Sequence, residues 1–206
     1  MEQRQLIKVV VIGPESTGKT TLCELLAQHY NTVWCPEFAR EYLLAHGMDY
    51  TYDDLLSIAK GQVALEDKYI QLTVSSGQSA VDSPQSGINS MTPDSELRTP
   101  NSELLFLDTD MYVMKVWCEF AFGKCHEWIL DQIKKRKYDL YLLCNTGLPW
   151  IKDELREYPD VATREKLYSI YKDTMIGQST PWVDISGNYL ERLQKAIKAV
   201  DQLIAG

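Results

Sequence analysis

Apolar and polar positions alternate along the chain in blocks that predict strands and helices taking turns. Leu6 to Ile12 holds the β-branched run Val9-Val10-Val11-Ile12, which predicts a strand buried on both faces. Leu22, Leu25 and Leu26 then recur at helical spacing through about Tyr30. Thr32 to Cys35 reads as a short strand closed by Pro36, and Glu37 through His46 as a helix ending near Gly47. Thr51-Tyr52-Asp53-Asp54 has the form of a capping box, and Leu55, Ile58, Ala59, Val63, Leu65 and Ile70 carry the helix it opens to about Leu72.

The pattern lapses from Ser75 to Ser102, a stretch rich in Ser, Gly, Pro, Asn and Gln in which Thr92-Pro93-Asp94-Ser95-Glu96-Leu97 recurs as Thr99-Pro100-Asn101-Ser102-Glu103-Leu104. Without a core-forming pattern this reads as a low-complexity, disordered insertion at about 75–102. Order resumes at Leu104-Leu105-Phe106-Leu107, a buried strand running into Asp108-Thr109-Asp110. Helices are expected at about 111–122 and 125–135, a strand at Leu140 to Cys144, and a helix through about Met175. A strand at Trp182 to Ile185 and a helix at Leu190 to Ile204 close the chain. Strands alternating with helices imply an α/β fold with a parallel sheet and right-handed crossovers, in one domain over 1–206 with a charged lid at about 149–164.

Ligands of such sheets gather beyond the C-terminal ends of the strands, so the residues found there carry the chemistry. After the first strand comes Gly13-Pro14-Glu15-Ser16-Thr17-Gly18-Lys19-Thr20, the complete G-x-x-x-x-G-K-[ST] phosphate-binding loop between a strand and a helix. Loop N–H groups and the positive end of a helix dipole converge there on an anion. Lys19 reaches the β- and γ-phosphates and the Thr20 hydroxyl ligates Mg²⁺. The nucleotide-contacting candidates are Gly13, Glu15, Ser16, Thr17, Gly18, Lys19, Thr20 and Thr21. The chain is read as binding a nucleoside triphosphate, ATP, with Mg²⁺.

The other strand tips offer what phosphoryl transfer asks for: a held metal, an oriented hydroxyl and offset charge. Asp108 is placed as a Walker B-like carboxylate, holding Mg²⁺ alongside Thr20. Glu37 is placed to accept the proton of a substrate hydroxyl, with Arg40 one helical turn on to hold its orientation. Asp110 either binds substrate hydroxyls or caps the helix that follows it. Arg156 and Arg164, on the charged lid, are candidates to swing over the γ-phosphate. Asn145 and Trp150 follow the fourth strand, with Trp150 a candidate to stack on the substrate base.

Composition narrows the field. With 21 Lys and Arg against 29 Asp and Glu, the net charge of −8 excludes a large nucleic-acid-binding face. Lys134-Lys135-Arg136-Lys137 reads as a helix C-terminus complementing its dipole. Five cysteines with no C-x-x-C pair disfavour disulfide frameworks and zinc ribbons, and His29, His46 and His126 show no ligand spacing. No apolar run is long enough for a secretion signal or a membrane span, so a cytoplasmic protein is expected. Leu143-Cys144-Asn145-Thr146 lacks the guanine-reading Asn-Lys-x-Asp pattern, which argues against a GTPase.

Taken together, Gly13 to Thr20, Pro36-Glu37-Phe38-Ala39-Arg40-Glu41-Tyr42, Gly61-Gln62, Leu107-Asp108-Thr109-Asp110 and Asn145-Thr146 through Pro149-Trp150 to Leu155-Arg156 resemble the NadR-type nicotinamide riboside kinase domain of the P-loop kinases. The resemblance implies a three-layer P-loop nucleoside triphosphate hydrolase fold with a five-stranded parallel sheet of the nucleotide-kinase type. It implies transfer of the ATP γ-phosphate to the ribose 5′-hydroxyl of nicotinamide riboside, giving nicotinamide mononucleotide for NAD synthesis. It also places Gln62 with Glu37, Arg40, Asp110, Asn145 and Trp150 toward the substrate, and Lys19, Glu37, Asp108 and Arg156 in catalysis. Relatives of this domain are often joined to an adenylyltransferase domain and a DNA-binding module; this chain is expected to carry the kinase portion. A kinase for another nucleoside or nucleotide, and a regulatory ATPase, are the competing readings.

Overall fold

In the computed structural model, residues 6–79, 103–152, 154–155 and 157–205 are described; Arg156 and most of the expected insertion lie outside them. The strands are β1 (Ile7–Ile12), β2 (Val33–Cys35), β3 (Leu104–Asp108), β4 (Leu140–Cys144) and β5 (Trp182–Ile185). All pairings are parallel, in the order β2-β3-β1-β4-β5. The helices are α1 (Lys19–His29), α2 (Phe38–His46), α3 (Tyr52–Ser79), α4 (Met111–Phe122), α5 (Glu127–Lys135), α6 (Val161–Ile176) and α7 (Tyr189–Ala205).

The continuous apolar runs have the meaning expected of them. Because successive side chains leave a strand on opposite faces, Val9, Val11, Phe106 and Leu142 pack on one side with Leu22, Leu26, Ala196 and Val200 of α1 and α7. Val10, Ile12, Leu105, Leu107 and Leu143 pack on the other with Val113, Val116, Leu167 and Tyr171 of α4 and α6. The central strands are covered on both faces, which is why they contain no alternation. A third cluster joins α2 to α5 through Leu43, Leu55, Ile58, Met114, Cys118 and Ile129, away from the sheet. All five cysteines are free thiols.

Helix ends follow local chemistry. At the start of α3 the Thr51 amide donates to Asp54 Oδ2 at 2.8 Å and the Asp54 amide to Thr51 Oγ1 at 3.3 Å, a reciprocal capping pair. Asp160 caps α6 by accepting from the Thr163 amide at 2.7 Å. α3 outruns its apolar stripe, continuing to Ser79 where a loop was expected from Ser75. Once nucleated, a helix gains a backbone bond with each added residue, so propagation outlasts the packing that started it. α6 begins at Val161, so the end of the expected lid is its first turn. Among the described residues no helix is long and apolar enough to cross a membrane.

Candidate functional site

Between β1 and α1 the loop folds as its glycines require. Gly13 has φ +140°, and a Cβ there would stand 2.6 Å from the Cys144 carbonyl oxygen, so the tip of β4 closes against bare backbone. Gly18 is left-handed at φ 77°, the point where the loop turns into α1. Thr17 donates its hydroxyl to the Pro14 carbonyl at 2.7 Å, and Lys19 Nζ reaches the same carbonyl at 3.0 Å.

A cavity of about 350 Å³ opens on this loop, with residues 13–21 forming one end. Thr20 and Asp108 meet there, the Thr20 hydroxyl donating to Asp108 Oδ2 at 2.5 Å. Asp108 is 1% exposed, and its Oδ1 has no hydrogen-bond donor among the described residues. Burial, with the Glu37 charge adding to it, raises the Asp108 carboxyl to about 6 against the pull of Lys19 and the Thr20 hydroxyl. A hard oxygen donor left open beside a hydroxyl and facing a phosphate loop is the chemistry a divalent cation takes up, so the residues present fit Mg²⁺.

The same cavity extends past Glu37 and Arg40 to walls formed by Trp34, Val113, Trp117, Phe120, Tyr158 and Tyr171. Glu37 occupies the N-cap position of α2 but makes no side-chain cap bond, leaving its carboxylate to the cavity. Two devices hold it. Gln62, 1% exposed, accepts from the Phe38 amide at 2.7 Å and donates to the Pro36 carbonyl at 3.2 Å, bracketing Glu37 on both sides. Gly61 permits this, since a Cβ there would lie 2.1 Å from the Phe38 ring. The second device is Thr109, whose hydroxyl approaches Glu37 Oε1 at 3.4 Å. Thr109 sits at φ +97°, a strained setting for a β-branched residue, and only tertiary contacts hold it there.

The described part of the segment expected to be a lid contacts the loop. Glu15 accepts from the amides of Glu157, at 3.0 Å, and Tyr158, while Ser16 Oγ accepts from the Ile151 amide at 3.0 Å. Glu157 in turn accepts from the Tyr50 hydroxyl at 2.9 Å, and Tyr50 accepts from Trp117 Nε1 at 2.9 Å, tying the lid to the far wall.

Of the residues singled out from sequence, those at 13 and 15–21, with Glu37, Arg40 and Asp108, come together around this cavity. Others stand outside its lining. Asp110 is fully occupied, accepting from the amides of Tyr112 at 2.9 Å and Val113 at 3.2 Å and from the Tyr141 hydroxyl at 2.7 Å; burial lifts it to about 7. Gln62 works through Glu37's neighbours. Asn145 uses Oδ1 to accept from the Gly147 amide at 3.0 Å, and Trp150, half-buried in the expected lid segment, is not among the cavity's lining residues. Arg164 does not ride on a swinging lid: it is 3% exposed, with Nη2 donating to the carbonyls of Ser16, Thr146 and Leu148 at 3.3, 3.4 and 3.3 Å.

Comparison with known proteins agrees with this architecture. A family model described as AAA domain matches residues 8–192. The trifunctional NAD biosynthesis/regulator protein NadR of Salmonella typhimurium (strain LT2) is 23% identical over 201 residues, covering 95% of this chain and 42% of that protein. NadR of Escherichia coli (strain K12) matches with the same identity and coverage. The chain thus spans less than half the length of these curated relatives. Among solved structures, NadR in complex with NR superposes with a TM-score of 0.72 at 24% identity, over 98% of this chain and 50% of that one. NadR in complex with NAD and AMP-PNP gives 0.68 at 24% identity, over the same shares of the two chains. Thymidylate kinase from Ehrlichia chaffeensis gives 0.55 at 11% identity, over 95% and 99% of the two chains.

Proposed function

The chain belongs to the AAA-domain family, and from that footing we propose that it is a P-loop kinase that moves the γ-phosphate of ATP to the ribose 5′-hydroxyl of nicotinamide riboside. The observation that carries the reading is a single cavity with two unlike ends: Lys19, Thr20 and Asp108 beside the phosphate loop, and Glu37 with Arg40 and aromatic walls beyond. A hydrolase that serves only as a switch has no need of the second end.

In this mechanism the loop amides and Lys19 hold the β- and γ-phosphates in line with the acceptor. Glu37, bracketed by Gln62 and steadied by Thr109, accepts the hydroxyl proton as the oxygen attacks phosphorus. Thr20 and Asp108 are the residues that would hold Mg²⁺, which would neutralise charge on the transferring phosphate. The aromatic walls suit a flat base, and a cationic ring gains further from their faces. The NR complex of a NadR protein on the same fold supports this acceptor. The lid keeps water from competing as nucleophile.

A second reading, a kinase for another nucleoside or nucleotide, draws on the fold shared with a thymidylate kinase. Release of ADP from ATP and Mg²⁺ against a panel of nucleosides and nucleotides decides the matter. Strong stimulation by nicotinamide riboside is expected. Stimulation by another acceptor alone selects the second reading, and hydrolysis indifferent to every acceptor points to a regulatory ATPase.

A further inference from the structure

Arg192 lies in the first turn of α7, and nothing in its neighbours along the helix marks it as anything but a solvated charge. It is nevertheless 3% exposed. Its three nitrogens go to three carbonyls on three separate segments: Nε to Gly187 at 2.8 Å, Nη1 to Thr17 at 3.1 Å and Nη2 to Asn145 at 2.7 Å. Those segments are the turn before α7, the phosphate loop and the tip of β4. Among the described residues Arg192 makes no ion pair with a carboxylate.

A guanidinium taken out of water with only carbonyl partners is costly to bury, and it leaves a net positive charge under the loop. We propose that Arg192 is a positioning residue for the polyphosphate of the donor nucleotide, fixing the phosphate loop from behind and charging its reverse side. In a trans peptide the N–H points away from the C=O, so a cation drawing on the Thr17 carbonyl turns the Gly18 N–H the opposite way. Gly18 is among the residues that line the cavity. The charge-assisted bond polarises the peptide and makes that N–H a better donor to an anion. Arg164 treats the preceding peptide alike through the Ser16 carbonyl, directing the Thr17 N–H. Two guanidiniums on consecutive peptide units preorganise the loop for phosphate without touching it. Removing one therefore weakens donor binding more than fold stability.

This assignment rests on reading the loop as a nucleoside triphosphate site, but it needs no assumption about the acceptor. The test is calorimetric titration of the wild type, Arg192→Met and Arg192→Lys with ADP and with inorganic tripolyphosphate, beside thermal unfolding without ligand. Arg192→Met is expected to stay folded and to weaken both ligands by roughly tenfold or more, with Arg192→Lys regaining part of the loss. Binding of tripolyphosphate by Arg192→Met within about twofold of wild type overturns the proposal. If Arg192→Met does not fold, Arg192→Lys decides: its ammonium cannot span three carbonyls, so a loss of about threefold or more supports the assignment and a smaller one overturns it. A wild type that binds both polyphosphates yet phosphorylates no nucleoside or nucleotide removes the kinase reading and leaves this one standing. A wild type that binds neither ends both.

Discussion

The Thr20 hydroxyl donates to Asp108 Oδ2 at 2.5 Å, joining the first turn of α1 to the tip of β3. The contact spans 88 positions of sequence, between the second residue of α1 and the last residue of β3, a strand paired with β1. On the proposed reading it sets the two residues that would hold Mg²⁺ side by side at one end of the cavity. Asp108 keeps its other oxygen open.

Asp108→Asn should therefore cut kcat by about 10²-fold or more and weaken Mg·ADP, while leaving metal-free ADP binding close to wild type. Titrations with and without Mg²⁺ separate these quantities. Equal losses in both would remove the metal role.

Glu37→Gln preserves shape and removes the proton acceptor. It should lower kcat by about 10²–10⁴-fold with ADP affinity within about twofold of wild type. Steady-state kinetics beside calorimetry is sufficient, and a kcat near wild type would strip Glu37 of its role.

Thr109→Gly tests whether the strained residue between the two aspartates serves Glu37. Glycine adopts φ +97° freely, so stability should hold or rise by about 1 kcal/mol as strain is relieved, while kcat falls because the hydroxyl beside Glu37 is gone. Urea unfolding and initial rates on the same preparation give both. Lost stability with unchanged rate would contradict it.

How far the sequence alone reaches is clear at these positions. The phosphate loop, the strands and the Thr20–Asp108 end could be read because each depends on a local pattern or on the rule that parallel strands deliver ligands at one edge. Glu37 was within reach for the same reason. Thr109 was not, since a positive φ at a β-branched residue is imposed by its neighbours and leaves no mark on composition. Arg164 and Arg192 were missed as loop braces because an arginine on a helix looks the same whether it faces water or carbonyls. The cavity-lining residues of α4 were hidden in an apolar stripe that equally well describes a core.

Asp110→Asn isolates a buried charge. The folded state holds the Asp110 proton up to about pH 7, whereas the unfolded chain gives it up near its ordinary value of about 4. The stabilisation from the protonated group is therefore complete at low pH and is lost as pH rises through that window. Asparagine caps α4 equally well and cannot ionise. Unfolding midpoints for the variant should gain on wild type from pH 5 to 8, with phosphotransfer little changed. Parallel pH curves would show that Asp110 does not titrate there.

Gly61→Ala places a Cβ where the Phe38 ring now lies. Displacing that ring disturbs the Gln62 brackets around Glu37, so a loss of about 1–3 kcal/mol is expected, with acceptor KM rising more than ATP KM. Equal shifts in the two constants would mean that Gln62 does not steady the acceptor side.

The cluster that joins α2 to α5 bears on how an acceptor site of the proposed kind could diversify. Trp117 of that cluster lines the cavity with Phe120 further along α4 and Arg40 of α2, while the phosphate loop is held by β1, α1 and, through Arg192, α7. On the proposed kinase reading, substitutions on the first set would change which molecule is accepted without altering the phosphate loop. A kinase of that build would be a fixed motor with an exchangeable chuck, and a designer seeking a new acceptor would begin on α4.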